Sequence, residues 1–149
     1  MSGENAVDQY LQVIVGERGW CIAVSNVREI INPVNDRRLV DQIIGGQSRY
    51  TIDDRDVPAV DLRRLFDETV VLSNDAGRVL LAYVDEFELA LVVDSVERIL
   101  RPAKDQVEPG TPAADEYNRD LISSTITWEN HRYPVLSVAD VYKLVREIR

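Results

Sequence analysis

Six carboxylates fall in two short clusters, Asp53-Asp54-Asp56 and Asp85-Glu86-Glu88. Convergent oxygens are what a calcium or magnesium ion takes, and two carboxyls flanking a glycosidic bond are what a glycoside hydrolase uses. Neither cluster has the spacing of an EF-hand loop. Each sits between two apolar runs, where Asp is favoured because it bonds to its own backbone in a hairpin turn. Solvated turns are the simpler reading, and nothing in the sequence sets two of these carboxylates across a cleft. The single histidine, His131, lies in a turn between Asn130 and Arg132, and it shares no recognised zinc-ligand spacing with the single cysteine, Cys21. Gly45-Gly46 lacks the further glycines and the lysine of a phosphate loop, and there is no Gly-x-Ser-x-Gly elbow. Residue chemistry therefore points away from catalysis. It leaves no cofactor and no metal to expect.

The charged residues that remain of interest lie inside a repeat. Residues 10–33 (YLQVIVGERGWCIAVSNVREIINP) and 79–102 (VLLAYVDEFELALVVDSVERILRP) are one 24-residue unit met twice without a gap, at an offset of 69. Val27, Ile30 and Pro33 fall on Val96, Ile99 and Pro102. A second shared stretch follows each unit: Pro58 to Leu62 then Leu65-Phe66, and Pro134 to Val138 then Val141-Tyr142. Arg28-Glu29 in the first copy faces Glu97-Arg98, the same charges reversed, in the second. One reading is a surface ion pair of little energetic weight. The other is a partner-facing edge in which Val27 and Ile30 anchor and the charges select.

Two copies of one module suit a symmetric scaffold better than an enzyme with one unique cleft. The chain has 149 residues, enough for one ordinary domain, and half of it buries too little surface to stand alone. A hydrophobic content of 45% supports a shared core. The formal charge of −9 argues against nucleic acid and against anionic membranes, since both need a basic surface. The N-terminus, MSGENAVDQ, has neither the basic start nor the apolar stretch of a secretory leader, and Val79–Val84 is far too short to span a bilayer. A cytoplasmic protein is expected. One cysteine leaves no internal disulfide, and Cys21, within an apolar run, reads as a small core residue.

The elements follow from the period of the apolar residues. Tyr10–Val15 and Trp20–Val24 read as a hairpin joined by Gly16–Gly19, and Val79–Val84 and Leu89–Val93 as its repeat across Asp85–Glu88. Leu89–Val93 is apolar on both faces, which predicts a strand buried on both sides. Residues 27–31 read as a short strand or helical turn stopped by Pro33, and any helix in 34–48 is broken at Gly45-Gly46. Tyr50–Ile52 and Asp56–Val60 form another hairpin, Ile122–Trp128 and Tyr133–Ser137 the last one. Residues 103–121 make the main loop and account for seven extra residues in the second copy. Asp61 caps a helical turn at Leu62–Phe66. Ser137 and Asp140 resemble a capping box opening a C-terminal helix with Val138, Val141, Tyr142, Val145 and Ile148 on one face. Nine or ten short strands with little helix predict a mainly β fold of small antiparallel barrels. Residues 1–6 read as a flexible tail and 7–149 as one domain of two pseudo-repeats, about 10–66 and 79–142. The shared positions Val27/Val96, Ile30/Ile99, Pro58/Pro134 and Leu62/Val138 are expected in the core and turns.

Val27-Arg-Glu-Ile30, Pro58-Ala-Val-Asp-Leu-Arg63, Leu91-Val-Val-Asp94 with Val96, and Leu136-Ser-Val138 before a short helix occur in the order found in the CheW-like family. Over roughly residues 8–147 the chain resembles these chemotaxis coupling proteins, to which the regulatory domain of the CheA histidine kinase is related. The resemblance implies two SH3-like five-stranded β-barrel subdomains in pseudo-twofold repeat around a shared hydrophobic core. It implies no catalysis. It implies an adaptor that couples the cytoplasmic tip of a methyl-accepting chemoreceptor to the regulatory domain of a CheA-type kinase, with Val27 and Glu29 in partner binding. Two positions depart from the family pattern. The family's Asn-Leu-Arg-Gly falls on Thr51-Ile52-Asp53-Asp54, so Asp53 replaces an arginine used in receptor contact, and a family glycine falls on Ser48. Val27, Glu29, Ser48 and Asp53 are thus the candidate partner-binding residues. The departures also admit a diverged coupler serving a non-flagellar pathway with another partner. A reading from another class is a small-molecule sensor or a hydrolase built on the acidic turns.

Overall fold

Residues in the left-handed region set the hairpins. The computed structural model describes residues 8–34, 40–44, 47–66 and 77–147. Gly16 and Glu17 have φ of 56° and 70°, so β1 (Tyr10–Val15) and β2 (Arg18–Ala23) meet in a two-residue turn. The tight turn takes only two of the four residues expected in the connection, and Arg18 and Gly19 join the strand. Likewise Asp85 (φ 54°) begins the turn between β7 (Arg78–Val84) and β8 (Phe87–Val93). Asp53 and Asp54 (φ 49° and 66°) join β5 (Gln47–Ile52) to β6 (Arg55–Asp61), and Glu129 and Asn130 (φ 50° and 66°) join β11 (Ile122–Trp128) to β12 (His131–Leu136).

The other strands are β3 (Val27–Ile31), β4 (Val40–Ile44), β9 (Ser95–Leu100) and β10 (Val107–Pro109). The open choice at residues 27–31 resolves as strand, and β4 is strand where a local helix was entertained. It pairs antiparallel with β5 from Val40↔Thr51 to Ile44↔Gln47, so the ladder decides its conformation. Residues 45–46 lie outside the description. The main loop carries β10 and a 3₁₀ segment at Ala113–Leu121.

The strands form two six-stranded SH3-like sheets, ordered β10-β11-β12-β2-β1-β9 and β4-β5-β6-β8-β7-β3. The second order is the first with each strand replaced by its pseudo-repeat partner. The pseudo-twofold architecture is thus present, and neither sheet closes into a complete hydrogen-bonded barrel among the described residues. The first hairpin of each half is donated to the other half's sheet: β2 pairs parallel with β12, and β8 pairs parallel with β6.

Donated hairpins are covered on both faces. In β8, Leu89, Leu91 and Val93 enter a core shared by both halves, with Leu11, Val13, Trp20, Ile22, Leu80, Leu136 and Val141. Ala90 and Val92 point the other way, to a core with Ile31, Ile52 and Val57. In β2, Trp20 and Ile22 face the shared core, while Cys21 faces Leu100, Ile126 and Val135. The continuous apolar run at 89–93 is therefore a doubly buried strand, as its composition requires.

Two helices close the shared core. α1 (Leu62–Phe66) is capped by Asp61, whose Oδ1 accepts the Arg63 backbone N–H at 3.0 Å. α2 (Val138–Glu147) begins where Ser137 Oγ accepts the Asp140 N–H at 3.3 Å. The Arg63 guanidinium is buried and donates to Asp61 at 2.8 Å and to Asp94 at 3.3 Å. The other Asp94 oxygen accepts the Gly16 N–H at 2.7 Å, so one carboxylate ties α1 to the donated hairpin. Asp61, then Asp94, hold the Arg63 pKa above its ordinary value. Gly77 lies so close to the Asp94 carbonyl that a Cβ there has no room.

Two predictions follow from the exchange and the burial. Residues 1–70 and 71–149, expressed separately, will each lack a cooperative thermal transition by circular dichroism, and a one-to-one mixture will regain it. A cooperative transition in either fragment alone would show that the donated hairpin is dispensable. Burial, the largest influence, pushes the Cys21 thiol up to about 12. An unfolded chain ionises its thiol at lower pH, so this burial stabilises fully below the ordinary thiol pKa and progressively less as pH climbs towards about 12. At pH 8, Ellman's reagent will label Cys21 no faster than the chain unfolds globally, whereas immediate labelling of native protein would contradict the burial.

Candidate functional site

The outer strands of the two sheets are where the repeats face solvent. β3 ends one sheet and β9 the other, and each carries a bulge at the same repeat position. On β3 the register shifts between Val27 and Glu29, and on β9 the pairing jumps from Arg98↔Gln12 to Val96↔Val13. Bulges at sheet edges re-aim side chains and blunt the edge against indiscriminate pairing. Ile31 and Leu100, each 1% exposed, turn into the interiors, whereas Ile30 and Ile99 are 45% and 52% exposed. This corrects the expectation that Ile30/Ile99 are core or turn. Adjacent residues on a strand point to opposite faces, so only one of each apolar pair can be buried.

Val27 is partly buried and packs against the shared core. Glu29, two residues on, is half-buried on the same edge strand. Asp53 is exposed at the left-handed β5–β6 turn. Asp is among the residues that tolerate this conformation, which gives Asp53 a backbone role besides its charge. Ser48 lies on β5 opposite Ile43, and its side chain is outside the description.

Glu29 and Asp53 converge on Arg55, the first residue of β6. Hydrogen bonding to Glu88, then the Glu88 charge, and behind these Asp53 and Glu29, raise the Arg55 pKa above its ordinary value. Glu88 accepts from Arg55 Nε at 2.7 Å and Nη2 at 3.0 Å, and from Arg28 Nη1 at 3.2 Å. Arg28 also lies over the Tyr83 ring, 5.2 Å from its centroid. The result is a surface patch of alternating charge, Arg28–Glu88–Arg55 with Glu29 and Asp53 beside it. Glu88 thus accepts from two guanidiniums at once.

The repeat makes the patch easier to interpret. The counterparts of Glu29 and Asp53 are Arg98 and Glu129, and these form a direct ion pair at 3.0 Å. Arg98 also donates to the buried Gln12 at 2.7 Å. The reversed charge order of the two edges therefore has a structural meaning. The β9 arginine pairs with Glu129 of the β11–β12 turn, whereas the β3 glutamate and Asp53 of the β5–β6 turn both act on the Arg55 charge.

Arg28 and Glu88 stood out in the sequence as members of separate features, the Arg28-Glu29 inversion and the second acidic cluster, but their contact with each other and with Arg55 and Tyr83 did not. The two acidic clusters read as separate solvated turns, and only the parallel pairing of β6 with β8 brings Arg55 to Glu88. The available signal was one arginine inside Asp53-Asp54-Arg55-Asp56, a cation placed to need a carboxylate from elsewhere. Among the described residues, no group of three or more His, Cys, Asp or Glu gathers as a metal site would require, and no helix is long and apolar enough to cross a membrane.

The sequence model of the CheW-like domain matches residues 9–149. The chain belongs to the CheW-like domain family. Among solved structures, the scaffolding protein TtCheW from Thermoanaerobacter tengcongensis is similar, with a TM-score of 0.73 at 12% identity over 89% of this chain and 90% of that one. At that identity the likeness speaks for the fold. No curated protein matches the sequence. Within a CheW-like domain the outer strands β3 and β9 are two related but unlike edges, and the Arg55–Glu88 patch belongs to the first.

Proposed function

We propose that this CheW-like chain is a non-catalytic adaptor, coupling a chemoreceptor to the regulatory domain of a CheA-type histidine kinase. The observation that carries this reading is the pair of bulged edge strands. One rigid body presents two edges with an exposed isoleucine in each, Ile30 and Ile99, and opposite charge order around it. An exposed apolar residue ringed by charges is the make-up of a small protein-docking surface. Two such edges of unlike charge suit two unlike partners held at once. In this reading residues 7–149 act as one unit with pseudo-repeats 10–66 and 79–142, and Val27, Glu29, Ser48 and Asp53 belong to the partner-facing side. The charge at Asp53 supports a second reading within the family, a diverged coupler in a non-flagellar pathway whose partner presents a basic group there.

Glu29→Lys will weaken binding to the kinase regulatory domain or the receptor tip by about tenfold or more, roughly 1.4 kcal/mol. The thermal midpoint will move by no more than about 2 °C, as for a surface change. Val27→Asp is the wrong probe, because Val27 packs on the shared core and its loss will lower stability. Unchanged calorimetric affinity for both partners on Glu29→Lys would remove the edge from the interface. Asp53→Arg separates the two readings: a gain in affinity for a standard receptor tip favours the common coupler, and a loss with the chain's own partner favours the diverged one.

A further inference from the structure

Each outer strand exposes an isoleucine with a charged residue two positions before it. On β3 these are Ile30 and Arg28, and at the same repeat positions on β9 they are Ile99 and Glu97. The isoleucine is common to both edges, and the charge is reversed. Arg28 has a prepared seat. Its Nη1 donates to Glu88 Oε2 at 3.2 Å, and its guanidinium lies over the Tyr83 ring, 5.2 Å from the centroid. Tyr83 comes from β7 and Glu88 from β8, and Glu88 is itself held by Arg55 at the start of β6. The seat therefore runs back from the edge across three neighbouring strands.

The repeat ties this seat to the arginine. At the offset of 69, Arg28, Tyr83 and Glu88 correspond to Glu97, Ile14 and Gly19. All three differ together. Ile14 offers no aromatic face and Gly19 no carboxylate, and a Cβ at Gly19 would meet the Tyr133 ring at 2.7 Å. On the second edge Glu97 accepts the Ser95 hydroxyl of its own strand, at 3.2 Å.

Stability does not account for the seat. The Arg28 side chain is 55% exposed, and an ion pair so open to solvent contributes little. Order is what the seat supplies. An arginine already held by a ring and a carboxylate has less rotamer freedom to lose on binding. Arg28 is held through Nη1, and among the described residues its Nε and Nη2 donate to no other group. Those two nitrogens share one edge of the guanidinium and make the fork that a carboxylate accepts with both oxygens. The chain uses this fork three times elsewhere: Arg18 closes it on Asp115, Arg55 on Glu88 and Arg63 on Asp61. Two guanidiniums against one carboxylate also leave the Arg28–Glu88–Arg55 set net positive.

We propose that Arg28 is a specificity-determining contact of the β3 edge, closing its Nε–Nη2 fork on a carboxylate that a partner protein presents beside an apolar side chain seated on Ile30. This rests on the adaptor reading and adds to it the chemistry of the partner at that edge, an acidic side chain. The same partner meets Glu97 at the corresponding place on β9 and is repelled there, so the two edges are not interchangeable to it.

The test titrates the full chain and its Arg28→Glu, Arg28→Lys and Arg28→Ala variants by calorimetry against a CheA-type regulatory domain and a receptor cytoplasmic fragment. The partner followed is the one whose binding Glu29→Lys weakens. Arg28→Glu is expected to lose about tenfold or more in affinity for it, and Arg28→Lys about threefold, since lysine keeps the charge without the fork. Thermal midpoints are expected to stay within about 2 °C of wild type. Raising salt from about 50 to about 200 mM is expected to weaken the wild-type chain more than Arg28→Ala, a difference that a merely structural role would not produce. Among lysine substitutions of the partner's acidic residues, one is expected to restore binding to Arg28→Glu. If Arg28→Glu and Arg28→Ala bind as tightly as wild type, or if salt acts on wild type and Arg28→Ala alike, Arg28 reads no carboxylate and the adaptor reading stands. If Arg28→Glu loses its thermal transition, the salt comparison decides. If the wild-type chain binds neither partner, the adaptor reading fails and this inference fails with it.

Discussion

Everything in this molecule depends on the exchange of two hairpins. Each half gives its first hairpin to the other half's sheet, and the two parallel seams, β2 with β12 and β6 with β8, are where it is received. A strand received in this way has a sheet neighbour on each side and a core on each face. That is why Trp20-Cys21-Ile22 and Leu89–Val93 are apolar without alternation, and why all eight are at most 4% exposed. The burial serves two purposes at once. It fills one core common to both halves, and it leaves each half's own three strands, β4-β5-β6 or β10-β11-β12, extended by the other half's hairpin. The Asp94 carboxylate adds direction to this packing by binding Arg63 on one oxygen and the Gly16 N–H on the other. It ties the donated hairpin to α1 by hydrogen bonds as well as by packing.

The exchange also determines which strands are exposed. Once the donated hairpins occupy the middle of each sheet, β3 and β9 are driven to the outside, with their bulges and their isoleucines. The exposed edges and the shared core are therefore two results of a single topology.

Much of this was legible in the residues, and the failures have physical causes. The offset of 69, the hairpins, the doubly buried strand and both helix caps follow from local pattern, because turn chemistry and apolar period act over a few residues. The exchange was not legible. A hairpin's own sequence says that it must be covered on both faces and does not say by which sheet. The exposure of Ile30 and Ile99 was misjudged because an apolar pair on a strand, Ile30-Ile31 or Ile99-Leu100, looks uniformly buried until the register is known. At the site, Glu29 and Asp53 came from the family resemblance, whereas Arg55 and Glu88 are 33 residues apart and join only across the β6–β8 seam. Long-range pairing of opposite charges leaves no periodic mark in a sequence.

The symmetry is most informative where it is broken. The core positions of the two copies are interchangeable in kind, Leu11 with Leu80, Trp20 with Leu89, Ile22 with Leu91, because packing asks only for volume and apolarity. The surface positions are not interchangeable. Arg98 and Glu129 form a direct ion pair, while the charges of Glu29 and Asp53 both act on Arg55. Arg18 grips Asp115 of its own chain, while Phe87 stands half in solvent. Grouped by sheet, Arg98–Glu129 and Arg18–Asp115 are both pairs on the β9 side, whereas Phe87 on the β3 side is half exposed. Selection for stability alone would treat both copies alike. The difference between the two sheets therefore lies in their surface residues and not in their packing.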